Sequence, residues 1–335
     1  MRAISISHAL PECHITFLGS GLEGYIPLMP PNVKCIHLPM DTVNEVDEHY
    51  IPHNPVESLH YAPLNVSGLR DRNRILAEFF AEQYPLLLIV DVSVEITILA
   101  RLCGVPTIVV RQHGNRNDPA HLAAYQSASA LLAPYPETMQ RQEAKWLTDK
   151  TIYAGGLSRY NIMNGFEHPD KGFTVAVLTG SGGTSIDLRL ICYLARHCSN
   201  WNFDVIGLPK PETKDLPENI MFHGHLQDPL ELLVSASVVI GNAGHNTVME
   251  MASLNKRFIA IPEDRPFDEQ IQKAEILEEL GLATVIEPQA FYQTDWQGLL
   301  SDIAQSSPDW TGIVVPEATN LAAEGILTVY KSIFS

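Results

Sequence analysis

The chain has 335 residues, enough for two domains of about 150 residues each, and its content of 45% hydrophobic and 18% charged residues excludes a disordered chain. Its formal net charge of −17 argues against a nucleic-acid partner, because an acidic surface repels polyanions. An odd number of cysteines without a CxxC pair, no apolar run of about 18 residues and a poor signal-peptide pattern favour a cytoplasmic protein without a transmembrane segment.

Short, continuously apolar runs alternate with segments of helical periodicity along most of the chain. Such runs are typical of parallel strands that are covered on both faces, so the alternation predicts an α/β fold with parallel sheets. The predicted strands are 14–19, 33–38, 86–91, 106–111, 130–134, 173–179, 203–207, 219–224, 237–242, 257–262 and 283–287. The predicted helices between them include 71–84, 95–102, 186–197, 245–254 and 268–280.

Two stretches interrupt this alternation. Residues 39–68 contain several prolines and no clear period, which predicts a long loop. Residues 154–172 are rich in glycine and polar residues and predict a linker. The end of the chain has apolar residues at helical spacing, so we expect the last helix to pack against other elements. The predicted organisation is an N-terminal domain at 1–155, a C-terminal domain at 156–318 and a C-terminal helix at 319–335.

A first glycine cluster spells GxGxxG after the first predicted strand, with Gly19, Gly21 and Gly24 followed by Asp41. This spacing superficially matches a dinucleotide fingerprint, which needs a helix to begin there. The proline-rich residues 25–31 cannot sustain a helix, so we interpret the cluster as a strand-to-loop turn.

A second glycine cluster lies between a predicted strand and a predicted helix. Backbone N–H groups of such a loop, together with the partial positive charge of a helix N-terminus, can bind a phosphate. No lysine follows as in a P-loop, and a tight structural turn explains the pattern equally well. The cluster consists of Gly180, Ser181, Gly182, Gly183 and Thr184.

A third segment runs from Gly241 to Glu250, between a buried predicted strand and a predicted helix. Asn242 or Asn246 can cap this helix, and Thr247 can offer its hydroxyl and N–H to a phosphate. Glu250 can accept hydrogen bonds from the paired hydroxyls of a ribose. Thr247 and Glu250 also fit a capping box, so the spacing leaves ribose binding and capping open.

A fourth segment, residues 261–270, again follows a predicted strand and opens a predicted helix. Ligands of open parallel sheets bind outside the carboxyl ends of the strands. The loops at 180–184, 242–250 and 264–270 all lie at such ends, so we expect them to converge on one crevice.

The stretch from Asn242 to Gln270 resembles the nucleotide-sugar signature of GT-B glycosyltransferases. It is similar to the UDP-glucosyltransferase box and to the bacterial N-acetylglucosaminyltransferase that completes lipid II. Asn242 stands where a histidine begins the plant box. The residues that carry the resemblance are Gly244, Asn246, Thr247, Glu250, Pro262, Glu269 and Gln270.

The resemblance implies a GT-B fold. Two Rossmann-like parallel-sheet domains then flank a cleft, and a C-terminal helix crosses back to the first domain. The N-terminal domain would bind the acceptor and the C-terminal domain the nucleotide sugar. The resemblance also implies a UDP-sugar donor as substrate, with no resident cofactor and no metal.

Roles for single residues follow from the same resemblance. The diphosphate is assigned to Asn246, Thr247 and the 180–184 loop, and the ribose is assigned to Glu250. The donor sugar is assigned to Glu269 and Gln270. The implied donor-binding residues are Gly180, Ser181, Gly182, Gly183, Thr184, Asn242, Gly244, His245, Asn246, Thr247, Glu250, Asp268, Glu269 and Gln270.

The N-terminus departs from the family pattern. Members usually begin with a strand and a glycine-rich loop that commonly carries the catalytic histidine. The first ten residues of this chain resemble the helix that follows that loop. We therefore expect the first strand and the loop to be missing, either because the start is placed too far downstream or because the protein works without them.

Sugar transfer requires a base that takes the proton of the acceptor hydroxyl. At the ends of predicted N-terminal strands, His113 and Asp91 are the catalytic candidates. His113 can instead structure its loop, and Asp91 can instead cap a helix near residue 92. Arg116 can hold an anion or lie as a solvated loop residue.

Two groups of histidines raise the question of a metal site. His49, His53 and His60 lie in the long loop, and His223 and His225 flank a glycine. Neither group has recognised ligand spacing with a carboxylate or cysteine partner, so we interpret them as exposed or loop-bonded histidines.

The sequence therefore predicts a hexosyltransferase that moves a sugar from a UDP-sugar to an unidentified acceptor. The alternatives are a nucleotide-sugar hydrolase on the same scaffold and a degenerate, non-catalytic nucleotide-sugar-binding protein. No nucleic acid is expected as a partner. The acidity argues against broad electrostatic binding to a membrane and leaves a local peripheral contact open.

Overall fold

The structure is a computed structural model that describes residues 2–52, 56–160, 172–180, 183–213 and 215–335. The chain divides into two compact units, and the strands of each pair in parallel. The first unit contains residues 1–112, 116–157 and 317–335. The second unit contains residues 113–115 and 158–316.

Parallel strands and helices alternate in the first unit. Its strands are β1 (Thr16–Gly19), β2 (Lys34–His37), β3 (Leu88–Val90), β4 (Thr107–Val110), β5 (Ala130–Ala133) and β6 (Thr151–Tyr153). Its helices before the second unit are α1 (Arg2–His8), α2 (Ser67–Glu82), α3 (Val94–Leu102), α4 (Pro119–Ser127) and α5 (Lys145–Asp149). β1 and β2 form a two-stranded sheet, and β3 to β6 form a four-stranded sheet in chain order.

One apolar core supports both sheets of the first unit. β4 and β5 are buried along their whole length, which explains why their sequences are continuously apolar. Leu88 and Val109 of the larger sheet belong to the same core as Leu76 and Phe80 of α2, and Leu18 of β1 packs against it. Burying one such side chain contributes about 1.5–3 kcal/mol, so this shared core stabilises both sheets.

The second unit is built on a single parallel sheet. Its strands are β7 (Thr174–Leu178), β8 (Asn202–Ile206), β9 (Ile220–Gly224), β10 (Val238–Asn242), β11 (Phe258–Ile261) and β12 (Thr284–Val285). Its helices are α6 (Leu188–His197), α7 (Leu230–Ser235), α8 (His245–Ser253), α9 (Glu269–Glu279) and α10 (Trp296–Gln305).

The strand order in this sheet determines which loops are neighbours. The order is β12-β11-β10-β7-β8-β9, so the direction of winding reverses at β7. Val177 of β7 is aligned with Ile240 of β10, and Gly241 of β10 is aligned with Ala260 of β11. The carboxyl ends of β7, β10 and β11 therefore lie side by side, at the place where open parallel sheets bind ligands.

The last helix, α11 (Ala318–Phe334), packs within the first unit against α1 and β6. A Cβ atom at Gly325 would lie 2.7 Å from Cγ2 of Ile152, so the missing side chain allows the helix to approach the strand. The prediction that the C-terminal helix packs against other elements is confirmed.

Every predicted strand overlaps an observed strand, with ends that differ by no more than two residues. The helix resembled by the first ten residues is also present, as α1. β6 and the helices α4, α5, α7 and α10 were not predicted. β6 has three residues and directly follows α5, so its pattern is too short to be distinguished from a linker. Residues 161–171 of the predicted linker lie outside the described residues.

The first glycine cluster leads into a short 3-10 helix, Glu23–Leu28, where the sequence predicted no helix. That prediction is wrong, because a short 3-10 helix accommodates Pro27. No α-helix begins at this cluster within the described residues, so the geometry that a dinucleotide fingerprint requires does not form there. Among the helices that the structure describes, none combines the length and the apolar character needed to cross a membrane.

Candidate functional site

The loops after β7, β10 and β11 meet at one edge of the sheet in the second unit. In the first loop the structure describes Gly180 and residues 183–187, whereas Ser181 and Gly182 lie outside the described residues. The structure therefore describes the first loop on either side of that gap.

The carboxylate of Glu263, just after β11, connects these loops. Its Oε1 atom accepts hydrogen bonds from the Ser185 backbone N–H at 2.6 Å and from the Ser185 hydroxyl at 2.9 Å. It also accepts from the Thr184 hydroxyl at 3.1 Å and from Nδ2 of Asn242 at 2.7 Å. One carboxylate oxygen thus receives four donors, three from the loop after β7 and one from the end of β10. Sequence reasoning included Glu263 in the fourth segment, directly after a predicted strand, but assigned it no role.

Two further contacts tie the same loops together. The backbone N–H of Glu263 donates to Oε1 of Gln270 at 3.1 Å. Nη2 of Arg265 donates to the carbonyl oxygen of Gly183 at 2.6 Å. The structure therefore brings parts of all three predicted loops into one hydrogen-bonded group.

The helix α8 begins at His245, and Gly244 is its N-cap residue without a side-chain cap. The expectation that Asn242 or Asn246 caps this helix is wrong. Asn242 is buried and donates to the carbonyl oxygen of Ile261 as well as to Glu263, because it belongs to β10 and points along the sheet edge. The N–H groups of the first turn of a helix have no partner within the helix, so this end can receive an anion.

Glu250 lies further along α8 and is buried. Its Oε1 atom is 2.9 Å from Nε of Arg159, and burial raises the pKa of the Glu250 carboxyl although the Arg159 guanidinium opposes this shift. Thr247 lies inside the helix and not at its cap, so the capping-box alternative for Thr247 and Glu250 is wrong. Glu250 is instead a buried carboxylate held by one arginine.

Arg159 is itself fixed by its neighbours. Its Nη1 donates to the carbonyl oxygen of Gln227 at 3.1 Å, and its guanidinium lies 4.8 Å from the ring centre of Tyr160. The Tyr160 hydroxyl donates to Asp228 at 2.8 Å, and burial together with this hydrogen bond raises the pKa of Tyr160. The start of the linker thus attaches to the loop between β9 and α7. Sequence reasoning missed this group.

The turn before α9 has an unusual backbone. Phe267 and Asp268 adopt left-handed φ angles of 63° and 56°, a conformation that costs energy for residues other than glycine and that clusters at functional sites. Glu269 begins α9, with Oε1 at 3.6 Å from Nζ of the fully buried Lys273. This turn is therefore held in one shape by the elements around it.

The short segment 113–115 belongs to the second unit and lies against that turn. The backbone N–H of Asn115 donates to the carbonyl oxygen of Phe267 at 2.6 Å. Gly114 has a φ of 112°, and a Cβ atom there would lie 2.6 Å from the same carbonyl oxygen. A side chain at position 114 would therefore disturb the turn before α9.

Comparison with known families bears on the same part of the chain. Residues 200–309 match the glycosyltransferase family 28 C-terminal domain. Residues 200–309 are called the family 28 domain below, after the family model that they match. It contains the loops after β10 and β11, whereas the loop after β7 precedes it.

Two curated relatives, from Geobacillus kaustophilus and Bacillus cereus, are each 27% identical to the chain. The first is named UDP-N-acetylglucosamine–N-acetylmuramyl-(pentapeptide) pyrophosphoryl-undecaprenol N-acetylglucosamine transferase, and its alignment covers 58% of this chain and 57% of the relative. The second carries the same name with the number 3 and has the same coverage. The chain thus spans somewhat more than half the length of the curated relatives that it matches.

Solved structures are similar over nearly the whole chain. MurG of Acinetobacter baumannii matches with a TM-score of 0.59 and 15% identity, over 99% of this chain and 94% of that protein. Spinosyn forosaminyltransferase SpnP matches with a TM-score of 0.64 and 16% identity, over 98% and 91%. The chain has the GT-B fold that the sequence resemblance implied.

Most of the predicted donor-binding residues that the structure describes lie in or beside the family 28 domain. Asn242 and Gln270 join the group around Glu263, whereas Glu250 is held separately by Arg159. Four of the other described residues are exposed, namely Gly180, Gly183, Asn246 and Asp268. The partly buried ones are Thr184, Gly244, His245, Thr247 and Glu269. The predicted contacts of these residues with a nucleotide sugar stay predictions.

The two catalytic candidates lie outside the family 28 domain and in different units. His113 is buried in the second unit, next to Gly114. Asp91 is half exposed in the first unit and receives a hydrogen bond from Nη2 of Arg2 at 2.8 Å. The alternative that Asp91 caps a helix is wrong, because Ser93 is the N-cap of α3 and accepts from the N–H of Ile96.

A histidine–carboxylate pair that sequence reasoning missed lies in the first unit. Asp118 caps α4, and its Oδ2 is 2.7 Å from Nδ1 of the buried His121. Burial lowers the pKa of His121, although Asp118 opposes this shift. Arg116 contacts Nε2 of His121 at 3.0 Å and donates to Gln112 at 2.6 Å, so it is not a solvated loop residue. The sequence signal was an aspartate directly before a proline that begins a helix, with a histidine three residues after the aspartate.

No metal-binding group of three or more His, Cys, Asp or Glu side chains occurs in the part of the chain that the structure describes. His53 lies outside that part. Nε2 of His223 lies 2.7 Å from Oδ1 of Asp204. The two residues are on the adjacent strands β9 and β8.

Proposed function

We propose that the chain is a glycosyltransferase that moves a sugar from a UDP-sugar to the hydroxyl group of an acceptor. The observation that carries this proposal is the hydrogen-bonded group of three loops at the carboxyl ends of β7, β10 and β11, where the last two loops belong to the family 28 domain. The names of the relatives from Geobacillus kaustophilus and Bacillus cereus support a UDP-linked donor.

In the proposed site, different residues bind the diphosphate, the ribose and the sugar of the donor. The first turn of α8, with Asn246 and Thr247, faces the diphosphate together with the loop after β7. Glu250 binds the ribose hydroxyls. Arg159 contacts one oxygen of the Glu250 carboxylate. A carboxylate offers about four lone-pair positions on two oxygens, so Glu250 can accept hydrogen bonds from Arg159 and from the ribose at the same time. Glu269 and Gln270 contact the sugar.

The chemistry follows from these positions. A base takes the proton of the acceptor hydroxyl as its oxygen attacks the anomeric carbon. The new carbon–oxygen bond forms while the bond between the sugar and the diphosphate breaks, and UDP leaves with the electron pair. Backbone N–H groups at the start of α8 stabilise the negative charge that develops on the diphosphate. His113 and Asp91 are the candidates for the base.

Calorimetric titration tests the donor half of this proposal. We expect the purified chain to bind UDP more tightly than ADP, CMP, NAD or thymidine diphosphate. Turnover of UDP-N-acetylglucosamine is then measured with and without candidate acceptors. An absence of UDP binding would contradict the proposal. Release of free sugar at the same rate without any acceptor would indicate a hydrolase instead.

A further inference from the structure

The group of residues around Glu263 has a feature that its separate contacts do not explain. All four donors, from Thr184, Ser185 and Asn242, meet one carboxylate oxygen at distances of 2.6–3.1 Å. We call Glu263 and its three donor residues, Thr184, Ser185 and Asn242, the Glu263 clamp. Hydrogen bonds to a charged acceptor are stronger than those between neutral groups, so the clamp restrains the loops that it joins.

The clamp shapes the loop after β7 and does not cap the next helix. Asp187 is the N-cap of α6, and its carboxylate accepts from the N–H of Leu190 at 2.9 Å. Thr184 and Ser185 lie before that cap and are bound to Glu263. Arg265 holds Gly183 in the same loop. Two side chains of opposite charge, both from the loop after β11, therefore fix the loop after β7.

Glu263 also contacts Gln270, which is proposed to bind the sugar. The Glu263 N–H donates to the side-chain oxygen of Gln270. Nε2 of Gln270 in turn lies 3.9 Å from the position that a Cβ atom of Gly244 would occupy, next to the first turn of α8. A displacement of Glu263 would therefore move both the loop after β7 and Gln270.

We propose that Glu263 is a positioning residue of the donor site, which acts through Ser185, Asn242 and Gln270. Its carboxylate holds Thr184 and Ser185, in the described part of the loop after β7, and the end of β10 in the arrangement that receives the diphosphate. Its backbone N–H holds Gln270 toward the sugar. This inference rests on the function proposed above.

The test uses the full chain and the substitution Glu263→Gln, which keeps the shape of the side chain, removes its negative charge and turns one terminal atom into a donor. We expect the affinity for UDP to fall at least tenfold and the affinity for uridine to change less than twofold, because uridine carries no diphosphate. Glu263→Asp keeps the charge on a shorter side chain and should recover part of the loss.

Hydrogen exchange provides a readout that needs no ligand. The Ser185 amide donates to Glu263, so we expect its exchange in Glu263→Gln to be at least fivefold faster than in the native chain, with unchanged exchange in β7. The matched control is Glu278→Gln, which makes the same change at an exposed position on α9. This control should alter neither UDP affinity nor Ser185 exchange.

The outcomes separate this inference from the proposed function. If the native chain does not bind UDP, the proposed function fails, and the role of Glu263 in donor binding fails with it. If the native chain binds UDP and Glu263→Gln binds UDP equally well, only the positioning role is overturned. An unchanged Ser185 exchange rate overturns the clamp itself, and an equal loss of UDP and uridine affinity overturns its specific action on the diphosphate.

Discussion

Glu250 is the residue whose role can be measured most directly. Glu250→Ala removes the proposed ribose acceptor and the partner of Arg159. We expect UDP binding to weaken by ~1–3 kcal/mol, which is the cost of leaving a polar group without its partner. Calorimetry with UDP measures the loss, and Glu250→Gln repeats the test with a side chain of the same shape.

A second ligand shows whether the loss comes from the ribose. If Glu250 binds the ribose hydroxyls, 2′,3′-dideoxy-UDP should bind the native chain and the Glu250→Ala variant with nearly equal affinity. Glu278→Ala, an exposed change on α9, serves as the control. An unchanged dissociation constant for UDP in Glu250→Ala would overturn the ribose assignment.

The burial of Glu250 also predicts a dependence of stability on pH. Burial raises the pKa of this carboxyl above its ordinary value of 4.5, although Arg159 acts in the opposite direction. The folded chain therefore holds this proton to a higher pH than the unfolded chain. The contribution of the group to the free energy of unfolding decreases as pH rises from 4.5 through the raised pKa.

Urea unfolding at several pH values, on the native chain and on Glu250→Gln, isolates this contribution. The free energy of unfolding of the native chain minus that of the variant should decrease over the window and become constant above it. A difference that is independent of pH would show that Glu250 has the same pKa in both states.

At the scale of elements, the turn before α9 depends on a glycine from elsewhere in the chain. Gly114→Ala places a Cβ atom 2.6 Å from the Phe267 carbonyl oxygen and 3.2 Å from Cα of Glu269, at a φ of 112°. We expect a loss of stability of ~1–3 kcal/mol from the strained backbone alone. We also expect weaker UDP-sugar binding, because Glu269 must move.

Gly281→Ala separates the two effects. Gly281 also has a positive φ, 67°, but a Cβ atom there meets nothing within 4 Å. This control should lose stability without losing affinity for the UDP-sugar. Thermal unfolding and calorimetry on both variants decide the matter, and equal affinities in the two variants would refute the coupling of Gly114 to the turn.

The helix α11 provides a test in the first unit. Gly325→Leu forces a side chain into the space next to Ile152 of β6, where even a Cβ atom would lie 2.7 Å away. Overpacking of this kind costs about 1–3 kcal/mol, so the free energy of unfolding should fall by that amount. Glu324→Leu, at an exposed position of the same helix, should have little effect. Equal stabilities in a urea titration would contradict the packing of α11 on β6.

At the scale of the whole molecule, local patterns were sufficient to predict an α/β fold and every described strand except β6, whereas the GT-B fold was implied by the family resemblance. Continuous apolar runs identified β4 and β10 because strands that are covered on both faces exclude polar residues. β6 was missed because three residues carry too little pattern. The 3-10 helix at Glu23–Leu28 was missed because proline was treated as excluding every kind of helix.

Part of the candidate site could be predicted in the same way. The loops after β7, β10 and β11 were predictable because parallel strands place their carboxyl ends at one edge. The links between them were not, since Ser185 and Glu263 lie 78 positions apart and no local pattern pairs them. The pairing of Arg159 with Glu250 is equally non-local. The choice between His113 and Asp91 as base stays a prediction, because neither residue's role follows from its own segment.

The order of the strands in the second unit has a consequence for how the protein is made. β7 pairs early with β8, but its other neighbour, β10, is synthesised only after β9 and α7. Until then one edge of β7 offers its backbone groups to any other extended chain. Contacts between residues so far apart also close slowly. The nascent chain should therefore be most prone to aggregation between the synthesis of β7 and that of β10, and chaperone binding should concentrate in this interval.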